Sequence, residues 1–206
     1  MKIKFLGHSA FLIDDLLLDP YIKNNPLTPV KVEDLKCKII CVTHNHDDHF
    51  GDTIEIAKNN NAIVVGLFDT VKKAEREGVK VESMNIGGSL KIRDWKITLV
   101  PALHSGNPSG FILKKEKTIY HAGDTGLFMD MMLLGEYNID VALLPIGGRY
   151  TMDIEQAVEA CKFLRCKMAI PMHYNTWDII KADPKEFKDK APCEVVILKP
   201  GEEYEV

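Results

Sequence analysis

The chain has 206 residues, long enough to bury one substantial core and read as a single domain over 1–206. Its 46% hydrophobic and 27% charged content is ordinary for a globular protein, and a net charge of -4 argues against the broad basic surface that nucleic acid requires. The five cysteines, an odd number without a C-x-x-C pair, argue against a disulfide framework and read as buried small apolar residues in a reducing compartment.

The N-terminus briefly resembles a leader, with Lys2, Lys4, Phe5 and Leu6, but Gly7, His8 and Ser9 interrupt the apolar run and Asp14 and Asp15 end it. No stretch approaches the ~20 apolar residues of a membrane span. A cytoplasmic protein with no membrane partner is expected. Lys2–Leu6, Ala10–Ile13 and Leu16–Leu18 read as short strands, and residues 23–36, with Asn24, Asn25, Pro26 and Pro29, as a surface loop. Lys38–Thr43 is a strand, which makes Cys37 and Cys41 poor partners for a shared metal. Thr53–Asn60 reads as a helix, Ala62–Val65 as a strand and Thr70–Glu77 as a helix. Strands follow near Val79–Met84, Ser89–Ile92, Trp95–Val100, Gly110–Leu113 and Thr118–His121. Leu127–Leu134 looks helical and Val141–Pro145 extended. Asp153 caps a helix in which Ile154, Ala157, Val158, Cys161 and Leu164 recur at helical spacing. Ala169–Met172 and Val195–Leu198 read as strands. Strand runs mixed with helices point to an α+β or layered α/β fold.

Chemistry concentrates in Thr43-His44-Asn45-His46-Asp47-Asp48-His49, directly after a strand. Three histidines and two aspartates in six positions make a poor structural turn, whereas imidazole and carboxylate are the ligands that zinc and similar cations prefer. His44 and His46 flank one residue, so in extended chain they point the same way. Asp48 and His49 follow as the chain turns and face an adjacent position. Of the seven histidines, none falls inside an expected helix. His8 lies between two strands, His104 and His173 end strands, and His121 leads into Gly123-Asp124. A carboxylate such as Asp124 can bridge two cations; its competing reading is a turn aspartate or the N-cap of the Leu127–Leu134 helix.

The series His44-x-His46-x-Asp48-His49, His104, Asp124, His173, with Asp19 ahead of it, resembles the metallo-β-lactamase superfamily. Gly7-His8-Ser9-Ala10-Phe11, Tyr120-His121-Ala122-Gly123-Asp124-Thr125-Gly126, Leu144-Pro145-Ile146-Gly147-Gly148 and Pro171-Met172-His173-Tyr174-Asn175-Thr176 narrow the likeness. They resemble a branch of metal-dependent hydrolases similar to the ascorbate-phosphate lactonases. The resemblance spans nearly the whole chain and implies a four-layer αβ/βα sandwich. It also implies one metal on His44, His46 and His104, a second on Asp48, His49 and His173, and Asp124 between them. Asp19 would sit behind the ligands and orient a histidine. Asn45 and Asp47 stand where the branch usually has glycine, as does Asp153, and the His104–Gly110 loop is short.

The expected cofactors are two divalent metal ions, zinc favoured, with manganese, iron or nickel as alternatives. The expected reaction is attack of a metal-bound hydroxide on an ester, lactone or phosphodiester of a small molecule. Gly-x-Ser-x-Gly is absent, which argues against a serine hydrolase. Besides Asp48, His8 is the candidate catalytic group as proton donor, and His121 a residue behind the ligands. The alternatives are an iron-dependent redox enzyme on the same fold and a non-catalytic metal-binding protein. The Gly147-Gly148 turn with Arg149 reads either as an anion site or as an ordinary turn.

Overall fold

The computed structural model describes all 206 residues. The chain forms two compact units, one of Met1–Ile86 with Leu198–Val206 and the other of Gly87–Ile197.

The first unit opens with β1 (Lys2–Gly7), β2 (Ala10–Ile13), β3 (Leu16–Leu18) and β4 (Ile39–Cys41), followed by α1 (Asp47–Phe50) and α2 (Thr53–Asn60). It continues with β5 (Ile63–Leu67), α3 (Phe68–Arg76) and β6 (Val81–Met84). The strands β1, β2 and β3 pair antiparallel; β3, β4, β5 and β6 pair in parallel. The three residues of β4 are buried completely, as expected of an apolar run in a parallel sheet covered on both faces. Helix α3 buries Thr70, Val71 and Ala74 and turns Lys73, Glu75 and Arg76 to solvent. Leu6, Leu17, Ile40, Val42, Phe50, Ile56, Val64 and Val71 belong to one apolar cluster.

The second unit holds β7 (Ser89–Ile92), β8 (Trp95–Pro101), β9 (Ser109–Lys114), β10 (Thr118–His121), α4 (Met131–Leu134), β11 (Val141–Pro145) and α5 (Ile154–Leu164). It ends with β12 (Met168–Met172), α6 (Pro184–Lys190) and β13 (Glu194–Val195). The strands β7 to β10 form an antiparallel run, and β10 to β13 a parallel one. Trp95, Phe111, Tyr120 and Phe187 fill its interior. The last strand, β14 (Glu203–Glu205), returns to pair with β1 in the first unit. The molecule is therefore mixed α/β with two seven-stranded mixed sheets.

The expected elements mostly recur, with informative exceptions. The Leu127–Leu134 helix shrinks to α4, and the preceding backbone is committed elsewhere: Gly126 N–H donates to Leu103 O at 3.0 Å, and Thr125 O accepts Met152 N–H at 2.9 Å. The Val195–Leu198 strand shortens to β13; Val196 N–H still bonds Ala169 O, after which the chain leaves the sheet. His49 does lie in a helix, since the chain after His46 closes one turn through Phe50 N–H to His46 O at 2.8 Å. Helix α6 and strand β14 had no clear periodic signal. Asp153 is the expected cap, accepting from Gln156 N–H at 2.8 Å while its own N–H donates to the Gln156 side chain. That capping box explains an aspartate where glycine was expected. No helix is long and apolar enough to cross a membrane.

Ile40 is fully buried at the centre of β4, so Ile40→Ala should lower unfolding stability by about 2–5 kcal/mol. Urea unfolding of the variant and wild type checks this; a loss within ~0.5 kcal/mol, typical of a surface change, would contradict the packing described.

Candidate metal centre

In the first unit the candidate ligands are organised by a buried carboxylate. Asp19 follows β3 and is fully buried. Its Oδ1 accepts Thr43 N–H at 2.8 Å, and its Oδ2 accepts both the Thr43 hydroxyl and His49 Nδ1–H at 2.7 Å. A carboxylate removed from water is tolerated only with such donors. With Nδ1 of His49 occupied as donor, Nε2 is left with the lone pair. The Thr43 hydroxyl, its proton given to Asp19, accepts in turn from His44 Nδ1 at 3.0 Å. Asp19 thus sets the tautomers of two histidines, one directly and one through Thr43.

The freed nitrogens converge. His44 Nε2 lies 3.0 Å from His46 Nδ1. Two nitrogens bound to one tetrahedral zinc at ~2.0–2.1 Å would lie about 3.3 Å apart, so the pair needs only a slight opening to share an ion. His8 Nε2 lies 3.0 Å from Asp48 Oδ2, and His49 Nε2 lies 3.9 Å from the same oxygen. The ring of His8 also meets Tyr21 edge-on at 5.8 Å and His49 at 5.6 Å. Tyr21 is pushed to a raised pKa, first by burial and then by the charges of Asp48 and Asp52. Asn45 and Asp47, between the ligands, are exposed.

In the second unit Asp124 is buried and its Oδ2 faces two histidines, His173 Nε2 at 3.1 Å and His104 Nε2 at 3.5 Å. Helix α4 begins only at Met131, with Asp130 at its cap position, so Asp124 is not a helix cap. His121 accepts Gly123 N–H on Nδ1 at 3.2 Å and thereby shapes the turn that delivers Asp124. Asp124 and His173 lie just beyond the C-terminal ends of β10 and β12, where parallel strands present ligand sites.

Backbone strain marks the same residues. His8, Asp19 and His173 adopt φ of 59°, 41° and 52°, a left-handed conformation uncommon outside glycine. Such strain persists only where surroundings enforce it, and it collects at functional positions. Gly147 supplies part of that enforcement: a Cβ there would come within 2.3 Å of His173 O. The Gly147-Gly148 turn spends N–H groups on its own backbone. Gly148 N–H donates to Met152 O and Arg149 N–H to Gly147 O, and the exposed Arg149 rests over Tyr150.

Thr43 and Tyr21 escaped the sequence reading. Thr43 stood inside the motif, but a threonine beside histidines gives no sign that it relays a hydrogen bond from Asp19. Each unit therefore contributes a set of nitrogen and oxygen donors suited to borderline divalent cations, with histidine tautomers set for binding in the first.

A model of the β-lactamase superfamily domain matches residues 14–174. A metal-dependent hydrolase of the UPF0173 family from Nanoarchaeum equitans is 48% identical, covering 100% of both chains. One from Staphylothermus marinus is 52% identical over 98% of this chain and 97% of its own. The solved structure of Igni18, described as a metallo hydrolase from Ignicoccus hospitalis, superposes with a TM-score of 0.93 at 41% identity, covering 100% of this chain and 98% of that one. The chain belongs to the β-lactamase superfamily. Within it the protein is one of the UPF0173 metal-dependent hydrolases, and its two mixed sheets are those of the metallo-β-lactamase fold.

Two substitutions test the supports. Asp19→Asn keeps the shape but removes the anionic acceptor, and should weaken metal binding about 10–100-fold, read by titration of metal-depleted protein; unchanged affinity would show that Asp19 only packs. Gly147→Ala should displace His173 and lower both melting temperature and metal content; a variant identical to wild type in both would show that the close approach is easily relieved.

Proposed function

We propose that the donors of the two units serve one dinuclear centre. His44, His46 and His104 would hold one divalent ion and Asp48, His49 and His173 a second, with Asp124 shared between them. Zinc is favoured, with manganese, iron or nickel compatible with the same donors. The substrate is a small-molecule ester, lactone or phosphodiester, and the chain acts as a single hydrolase domain in the cytoplasm. The observation that supports this reading is the convergence of imidazole nitrogens and carboxylate oxygens within each unit, on residues matching the superfamily's ligand series.

Two such ions would lower the pKa of a water to about 7, so supplying hydroxide at neutral pH, and would polarise the substrate oxygen. The chain's own residues do the rest. Asp19 and Thr43 hold His49 and His44 with their lone pairs outward. Asp124, as an anion, offsets repulsion between two cations. His8, hydrogen-bonded to Asp48, is the candidate proton donor to the departing oxygen. Tyr21 and His49 confine its ring. His121 acts behind the ligands through the Gly123 turn.

The experiment is a screen of metal-reconstituted protein against lactones, esters and phosphodiesters. Metal-dependent turnover of one class is expected. A coloured preparation that turns over only with a reductant would instead support iron redox chemistry, and tight metal binding with no turnover of any class would support a non-catalytic role.

Two variants test the roles. Asp124→Ala should bind fewer than two ions and lose hydrolysis while staying folded; full metal loading with near-normal turnover would overturn the bridging role. His8→Ala should keep its metal but lose about 10²–10⁴-fold in kcat; a variant that keeps kcat but loses metal would make His8 a ligand rather than a proton donor.

A further inference from the structure

Three of the five cysteines gather in the second unit, away from the histidine and aspartate set. Cys161 lies on the buried face of α5, Cys166 follows the left-handed Arg165 that ends that helix, and Cys193 immediately precedes β13. All three are free thiols, and their sulfurs lie within 4.8 Å of one another. The strands β12 and β13 run in parallel with Met168 opposite Glu194, so Cys166 and Cys193 sit side by side before their N-terminal ends. His173 lies beyond the other end of β12, whose four steps at ~3.3 Å alone separate the two ends by about 13 Å.

We infer that Cys161, Cys166 and Cys193 form a second, three-thiolate metal site for a thiophilic divalent cation of the zinc class. The spacing matches: sulfurs bound to one tetrahedral zinc at ~2.3 Å lie about 3.8 Å apart, and Cys166 Sγ lies 3.8 Å from Cys193 Sγ. Cys161 and Cys166 are buried while Cys193 is partly exposed, which leaves one side open for the ion to enter and for a water as fourth ligand. The last carbonyls of α5 give this end of the helix a partial negative charge that favours a cation. Uptake releases the thiol protons and changes no oxidation state. The sequence hid this site: Cys161 and Cys166 are five apart, Cys193 is remote, and no C-x-x-C flags them.

The test uses full-length protein, purified reduced, stripped with chelator and loaded with cobalt(II) as a zinc substitute. Thiolate ligands give cobalt a sulfur-to-metal charge-transfer band in the near ultraviolet, which imidazole and carboxylate ligands do not. The wild type should show that band. Cys193→Ala should lose it together with one ion per chain, while keeping cobalt's visible bands from the histidine and aspartate set. Zinc should also slow alkylation of Cys193 in the wild type, a readout that needs no variant. A wild type with all five thiols reduced and no charge-transfer band would overturn the site, as would alkylation unaffected by zinc or a Cys166–Cys193 disulfide in the reduced, anaerobic preparation.

Discussion

The candidate centre depends on one buried anion. Asp19 is fully removed from solvent, and a carboxylate there is tolerable only because three donors converge on it, two from Thr43 and one from His49. Those donors have consequences. The bond to His49 fixes which nitrogen carries its proton, the bond to Thr43 fixes the hydroxyl, and the hydroxyl fixes His44. Histidine nitrogens 3.0 Å apart could otherwise satisfy each other in several ways. Asp19 itself is held left-handed after β3 while its N–H donates to Cys41 O, so the fold pins the anion before the anion pins the histidines.

The same economy recurs in the second unit by different means. Asp124 stands between His104 and His173, and backbone contacts do the orienting: Gly123 N–H against His121, and the bare Cα of Gly147 against the carbonyl of a strained His173. Each sheet joins an antiparallel run to a parallel one, and donors follow the C-terminal ends of β4, β10 and β12. Rigid, fully buried parallel strands place the side chains, and the connections beyond them carry the chemistry.

The sequence made the candidate ligands legible because histidine and aspartate at close spacing have few other physical uses. It made α5 legible because a capping box and a 3.6-residue apolar period agree. It misjudged Leu127–Leu134, where apolar residues imitate a helix but Thr125 O and Gly126 N–H are already bonded to Met152 and Leu103. Thr43, Gly147 and the three clustered cysteines were also out of reach, since their roles arise from contacts between distant segments. Asp124 was ambiguous in sequence for the same reason: only its neighbours His104 and His173 distinguish it from a helix cap.

The central claim is that both donor sets serve one pair of ions. Anomalous scattering from crystals of the zinc-loaded protein, recorded on either side of the zinc edge, tests it most directly. The account predicts two peaks about 3.5–4 Å apart with the Asp124 carboxylate reaching both. A single peak, or two peaks each ligated by residues of only one unit with Asp124 bound to neither, would contradict it.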